Sequence, residues 1–166
     1  RPNPVVNAIG INATCNGLNN GSAVVTAAVG APFSYSWNTG ATTAKILSLS
    51  PAVYTATVTN TFGCTASDTA TVGQPTLLTA SISASTNVSC NGGSNGTATV
   101  SVIGGTGSYN YNWTGPGVGL NPRTNLPIGI HTVTVSDANG CSDTATVTIT
   151  QPLPLTANAD STSTTC

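Results

Sequence analysis

His131-Thr-Val-Thr-Val135, Ser136-Asp-Ala-Asn-Gly140 and Cys141-Ser-Asp-Thr-Ala-Thr-Val-Thr-Ile149 are the consecutive segments whose reading decides the fold. Large or apolar residues stand at 131, 133 and 135 and again at 145, 147 and 149, with Thr between them. A period of two over that length marks strands with one face buried. Between them, Asp137-Ala-Asn-Gly140 supplies the residue types that accept positive φ and make tight turns. The segment reads as strand, turn, strand. The same sentence is written earlier as Tyr54-Thr-Ala-Thr-Val58, Asn60-Thr-Phe-Gly63 and Cys64-Thr-Ala-Ser-Asp-Thr-Ala-Thr-Val72.

Working outward, alternation continues in both directions. The inward rows of the first half are Ala23, Val25, Ala27, then Phe33, Tyr35, Trp37, then Tyr54, Ala56, Val58, then Ala66, Ala70, Val72. Those of the second half are Leu78, Ala80, Ile82, Ala84, then Ala98, Val100, Val102, then Tyr109, Tyr111, Trp113, then His131, Val133, Val135, and finally Cys141, Ala145, Val147, Ile149. Thr, Ser and Asn fill most outward positions. No 3.6-residue period occurs, and β-branched residues dominate. Asn38-Thr-Gly40 reads as a further hairpin turn. Leu49-Ser-Pro-Ala-Val-Tyr54 reads as a corner at which the Tyr54 hydroxyl bonds backbone; in the second half His131 takes that place.

The chain is therefore written twice. Cys15-Asn-Gly returns as Cys90-Asn-Gly, Trp37 as Trp113, Gly63-Cys64 as Gly140-Cys141, and Cys166 starts a third copy, all at spacings of 75 to 77 residues. A fixed period of this kind means tandem copies of one small domain. Gln74-Pro75 and Gln151-Pro152-Leu-Pro154 stand at equivalent places, where proline ends strand pairing and stiffens the joint. These linkers divide the chain into a β-sandwich at residues 1–74, a second at 75–151, and a linker with the first strand of a third at 152–166. The expected fold is all-β: tandem immunoglobulin-like sandwiches of about six or seven strands each. Short proline-stiffened linkers imply a semi-rigid end-to-end arrangement, and edge strands poor in Lys leave room for self-association into fibres.

Composition narrows the function. Only 4% of the 166 residues are charged, against about 25% in ordinary soluble proteins. There are four acidic residues, three basic residues and one histidine, giving a net charge of −1. Nothing resembles a basic stripe for nucleic acid. No apolar run approaches the roughly 20 residues of a membrane-spanning helix. No charged-then-apolar leader opens the sequence, so a signal peptide is expected upstream or already removed. A glycosidase needs two carboxylates about 5 to 9 Å apart, whereas Asp68 and Asp143 occur once per copy. His131 has no nucleophile beside it, and Asp137 alone does not make a calcium site. The expectation is no catalytic residue, no cofactor and no metal.

With 39% hydrophobic residues, each copy buries a modest core, so its cysteines are expected to be oxidised. Counting the strand reversals between them favours Cys15–Cys64 and Cys90–Cys141, with Cys166 pairing outside the segment. Each bridge would close a loop of about 50 residues, worth roughly 4 kcal/mol in the chain-entropy model. A fifth intervening strand would put the two cysteines at opposite ends and require a bridge between copies, such as Cys15–Cys141. A linker folded back as a hairpin would allow Cys64–Cys90.

Cys90-Asn-Gly-Gly-Ser-Asn-Gly-Thr-Ala-Thr-Val100, Gly104-Gly-Thr-Gly-Ser-Tyr-Asn-Tyr-Asn-Trp113, Val133-Thr-Val-Ser-Asp-Ala-Asn-Gly-Cys141 and Ala145-Thr-Val-Thr-Ile-Thr-Gln-Pro152 resemble the SprB-type repeat of very large surface adhesins of gliding Bacteroidota. The resemblance covers nearly the whole chain twice, more loosely in the first copy, where Ala31-Pro-Phe33 replaces the Gly-Thr-Gly loop. It implies export through the type IX pathway, an extracellular or cell-surface location, and a part in adhesion or gliding filaments. Neighbouring repeats, other copies, surface glycans and solid surfaces are the partners it suggests. Asp68-Thr69-Ala70, Asp143-Thr144-Ala145 and Asp160-Ser161-Thr162 are also similar to the short Asp-Ser/Thr-apolar pattern on which exported Bacteroidota proteins carry O-glycans. This makes Thr69, Thr144 and Ser161 candidate modification sites. Parity, however, places Asp68 and Asp143 on the inward row.

Two binding readings compete with a structural one. The aromatic rows ending in Trp37 and Trp113 would form a sugar-stacking platform if they faced outward, as in a carbohydrate-binding module of a secreted enzyme. Thr ladders at Thr55, Thr57, Thr59, at Thr69, Thr71, and at Thr144, Thr146, Thr148, Thr150 would suit ice or another ordered surface. Alternation favours core for the aromatics. Sheet twist works against a flat Thr lattice.

Overall fold

The computed structural model describes residues 2–115 and 119–159. The chain divides into two compact units. The first is Arg1–Thr79 together with Ile103–Tyr109 and Ser136–Ser142; the second is Ala80–Val102, Asn110–Val135 and Asp143–Cys166.

Within the first unit the chain forms β1 (Val5–Ile11), β2 (Gly21–Ala28), β3 (Phe33–Trp37), β4 (Lys45–Leu49), β5 (Ala52–Asn60) and β6 (Thr65–Val72). They make two three-stranded sheets, β1-β2-β4 and β3-β5-β6. The alternating rows face one another across the sandwich. Ala23, Val25, Trp37, Ile46, Leu49, Tyr54, Ala56, Val58, Ala70 and Val72 form the buried cluster. Fully burying a Val- or Leu-sized side chain stabilises by about 1.5–3 kcal/mol, so this row holds the sheets together. β1 also runs beside β6, at the open side of the sandwich. The Ala8 N–H donates to Asp68 Oδ2 at 2.8 Å, and the Gly73 N–H to Asn12 Oδ1 at 2.8 Å. A Cβ at Gly10 would fall on the Thr71 carbonyl, so glycine is what lets the two strands approach.

Strand direction corrects one expectation. β1 pairs antiparallel with β2, and β2 with β4, so β4 runs as β1 does. β3 and β6 both pair antiparallel with β5 and share a direction. The contacts of Ala8 with Asp68 and of Asn12 with Gly73 advance together, so β1 and β6 run the same way. Consecutive strands β3 and β4 therefore point in one direction. Asn38-Thr-Gly40 is a turn, with the Gly40 N–H donating to the Trp37 carbonyl at 2.8 Å, but it passes the chain to the opposite sheet instead of closing a hairpin. Four strands do separate Cys15 from Cys64, as counted, but they contain one reversal fewer than hairpins would give. Cys15 follows the end of β1 and Cys64 precedes the start of β6, so they lie at opposite ends of the sandwich.

The second copy repeats the plan with β7 (Thr79–Thr86), β8 (Gly96–Ile103), β9 (Asn110–Trp113), β10 (Arg123–Leu126), β11 (Gly129–Ser136) and β12 (Ser142–Ile149). Its sheets are β10-β8-β7 and β12-β11-β9. Val100, Trp113, Leu126, Val133, Val135, Ala145, Val147 and Ile149 are buried. Ala84, expected on the inward row, is exposed, because burial along β7 stops after its first half. Pairing of β2 with β4 and of β10 with β8 is interrupted by a shift in register, and Ser48 and Asn125 carry positive φ of 56° and 58° at corresponding points. The fold is all-β, two immunoglobulin-like sandwiches in tandem with six strands in each copy.

Candidate functional site

The site with most chemistry is a disulfide in the first unit. Cys15 is bonded to Cys141, with Cα atoms 5.6 Å apart and 126 residues between them in sequence, while Cys64 and Cys90 are free. This overturns the preferred Cys15–Cys64 and Cys90–Cys141 pairs and also the Cys64–Cys90 alternative. The reason is the β3–β4 crossing, which removes one reversal and carries Cys64 away from Cys15. Cys141, engaged by Cys15, has no bond left for Cys90. Cys166 lies outside the described residues.

Each half of the disulfide is a small hydrogen-bonded device. On the β1–β2 loop, the Gly17 N–H donates to Gln74 Oε1 at 2.7 Å and Asn16 Nδ2 to the Pro75 carbonyl at 3.1 Å. The Thr14 N–H donates to Asn20 Oδ1 at 3.0 Å. The first two bonds tie the Cys15 loop to the Gln74-Pro75 linker, and the third closes the loop on itself. Gly17 sits at φ 78°, which a side chain would resist.

On the β11–β12 turn, the Asp137 carboxylate is the hub. Its Oδ1 accepts from the Asn139 and Cys141 N–H groups at 2.9 Å each, and its Oδ2 from the Thr106 N–H at 2.8 Å. Burial pushes the Asp137 carboxyl upward, but backbone donors from Thr106, Cys141, Asn139 and Gly140 outweigh it and leave it below the ordinary carboxylate range. The Asn139 side-chain amide donates to the Thr14 carbonyl at 3.1 Å, across the disulfide. Leu18, Leu77 and Leu78 line an open cleft of about 200 Å³ beside Cys15 and Cys141. That is below the roughly 300–1,000 Å³ of small-molecule sites. The disulfide and the Asn139–Thr14 bond join loop to turn at this place.

The remaining candidates divide between structural and open roles. Asp68 and Asp143 do lie where parity placed them, and the carboxylates have a backbone task. Asp68 accepts from Ala8 and Asp143 from Ala80, each at 2.8 Å. The Ala8 and Thr69 N–H groups hold the Asp68 carboxyl below the ordinary range against a smaller desolvation effect. Thr69 and Thr144, the following residues, are exposed. Ser161 lies outside the described residues.

Tyr54 Oη donates to the Ser50 carbonyl at 2.8 Å, and His131 Nε2 to the Pro127 carbonyl at 2.8 Å, so both corners are made. Trp37 and Trp113 are buried, with their indole N–H groups on the Thr43 and Leu120 carbonyls. The aromatic rows therefore point their largest members into the core. Thr55 faces Thr69 and Thr57 faces Ser67 across β5 and β6, with one side-chain hydrogen bond, Thr57 Oγ1 to Ser67 Oγ at 2.8 Å. Among the described residues, no group of three His, Cys, Asp or Glu side chains is placed to hold a metal, and no helix is long and apolar enough to cross a membrane.

Two segments, residues 11–42 and 82–118, match the family model described as SprB repeat. One segment in each copy is therefore similar to that repeat, as the quoted motifs led us to expect. No curated protein matches significantly. Among solved structures, the chain is similar to one titled "Structural basis for Dscam isoform specificity", at 14% identity and TM-score 0.40, covering 90% of this chain and 46% of that one. It is also similar to DIP-gamma IG1+IG2, at 10% identity and TM-score 0.40, covering 90% of this chain and 98% of that one. The chain spans less than half the length of the Dscam chains it matches.

Proposed function

We propose that this chain, with a segment similar to the SprB repeat in each copy, is a non-enzymatic structural and adhesive segment of a longer extracellular or cell-surface protein. The observation that carries the reading is the Cys15–Cys141 bond, which fastens the β1–β2 loop of the first copy to the β11–β12 turn of the second. A structural disulfide of this kind persists in an oxidising compartment. The acidic side chains of the described residues support the same reading, because Asp68, Asp137 and Asp143 all accept from backbone. Within this proposal, residues 1–74 and 75–151 are the repeating modules, and 152–166 begins a third. Export through the type IX route and service in gliding filaments are the finer expectations of the repeat. O-glycosylation at Thr69, Thr144 and Ser161 would enlarge an uncharged but hydrated surface.

The alternative is a carbohydrate-binding module. Burial of Trp37 and Trp113 counts against it, because stacking on a sugar needs an exposed aromatic face. A glycan array probed with the intact chain at high concentration separates the two. The structural reading expects no saturable binding by these copies. Saturable binding to a defined glycan would replace it with the module reading.

A further inference from the structure

The Cys15–Cys141 bond joins residues 126 apart in sequence whose Cα atoms are 5.6 Å apart. A pull applied before Cys15 and after Cys141 therefore runs along the backbone to Cys15, across the two sulfurs, and out from Cys141. Residues 16–140 hang on that path as a side branch. Covalent connectivity alone requires this, whatever length of chain precedes or follows the 166 residues. The stretches that do lie on the path are already drawn out. β1 (Val5–Ile11) leads toward Cys15, and β12 (Ser142–Ile149) begins at the residue after Cys141. A strand rises about 3.3–3.4 Å per residue, and no chain spans more than about 3.3–3.6 Å per residue, so β1 and β12 have almost no slack to give. Between β1 and Cys15 the chain is held beside the end of β6. The Ala13 N–H donates to the Gly73 carbonyl at 3.0 Å, and Asn12 Oδ1 accepts from the Gly73 N–H at 2.8 Å. At the other sulfur, the Cys141 N–H donates to Asp137 Oδ1 at 2.9 Å.

We propose that the segment is a tension member: load travels through β1, the Cys15–Cys141 bond and β12, and strands β2 to β11 are shielded from it. The inference rests on the structural and adhesive reading, because a protein that grips a surface is pulled along its chain. A domain held only by packing and hydrogen bonds lengthens under such a pull by unfolding, at a rate set by its unfolding barrier. Here the buried rows of both copies lie within the bridged loop. Their unfolding would add no length between the loaded ends, so force has no purchase on it. Reduction removes the shortcut, and the same pull then acts on residues 16–140. A dithiol reductant supplies the two electrons and two protons, leaving Cys15 and Cys141 as thiols while it closes to its own disulfide.

The test is single-molecule stretching of the whole 166-residue chain between handles joined to its two ends through linkages other than cysteine. Residues 1–15 and 141–166 together span at most roughly 150 Å when fully extended, and the oxidised chain should show no step longer than that. After a dithiol reductant is added, the same molecule should gain roughly 420–450 Å of contour, the full reach of the 126-residue separation. That gain is read whether or not the reduced chain stays folded. A protease site inserted in the exposed Asn38-Thr-Gly40 turn gives a second measurement. Cleavage there should leave the oxidised tether whole at unchanged extension, and reduction should then part it. A longer step in the oxidised chain, no gain on reduction, or a tether that parts on cleavage alone would each overturn the proposal. A failed tether without glycan binding would strike the tension path and leave the structural reading, whereas saturable glycan binding would strike that reading alone.

Discussion

Asp137 and Asn60 occupy one position in two copies and solve one problem with opposite polarity. Each uses Oδ1 to accept from the backbone N–H groups two and four residues further along the chain. The other side-chain atom then differs. Asp137 Oδ2 accepts from the Thr106 N–H, whereas Asn60 Nδ2 donates to the Pro2 carbonyl. Asp137→Asn would set an amide N–H₂ against the Thr106 N–H, and we expect a lower thermal midpoint by circular dichroism, whereas Thr106→Ala keeps that backbone donor and loses only the hydroxyl that accepts from Asn139 Nδ2 at 3.1 Å, so its midpoint should fall less. The charge also fixes a pH response. Asp68 and Asp137 both have carboxyls lowered in the folded state. Their contribution is fully present above the ordinary carboxylate pKa of about 4 and is lost as pH falls through the lower folded values. Melts across pH should show a midpoint flat from about pH 8 to 5 that falls below about pH 4, with a shallower fall in Asp137→Asn. A midpoint already declining between neutrality and pH 5 would contradict this.

At the scale of elements, what could be read depended on alternation. β5 and β6, and β11 and β12, were legible because Tyr54 to Val72 and His131 to Ile149 keep period two on both sides of an Asx-Gly turn. β4 and β10 were hard to read for a visible reason: positive φ at Ser48 and Asn125 breaks the register, so Lys45–Leu49 and Arg123–Leu126 bury only their ends or near-ends. The crossing from β3 to β4 is not legible, because Asn38-Thr-Gly40 has the same letters whether the chain reverses in a hairpin or changes sheet. Those short strands nevertheless carry packing weight. Leu126 is 1% exposed, and Leu126→Ala should cost about 2–5 kcal/mol in urea unfolding. Leu47, on the same kind of strand in the first copy, is 63% exposed, and Leu47→Ala should fall within about 0.5 kcal/mol of the parent chain. Equal effects would mean that β4 and β10 are not oriented as described.

For the whole molecule, the repeat and the sandwich are legible in the sequence, while the junction is visible there only as an alternative. Connectivity depends on which ends of the sandwich the loops occupy, and one missing reversal moved Cys64 to the other end. The resulting bond spans 126 residues of sequence, and in the chain-entropy model a loop of that order restrains the unfolded chain by about 4–5 kcal/mol. Cys15→Ser and Cys141→Ser should therefore lower stability alike, and the double variant no further than either single, since both remove one bond. Non-reducing peptide mapping of the oxidised 166-residue chain puts the central claim to the most direct test. The account predicts a cross-linked peptide pair containing Cys15 and Cys141. Recovery of Cys15 with Cys64, or of Cys141 with Cys90, would contradict it.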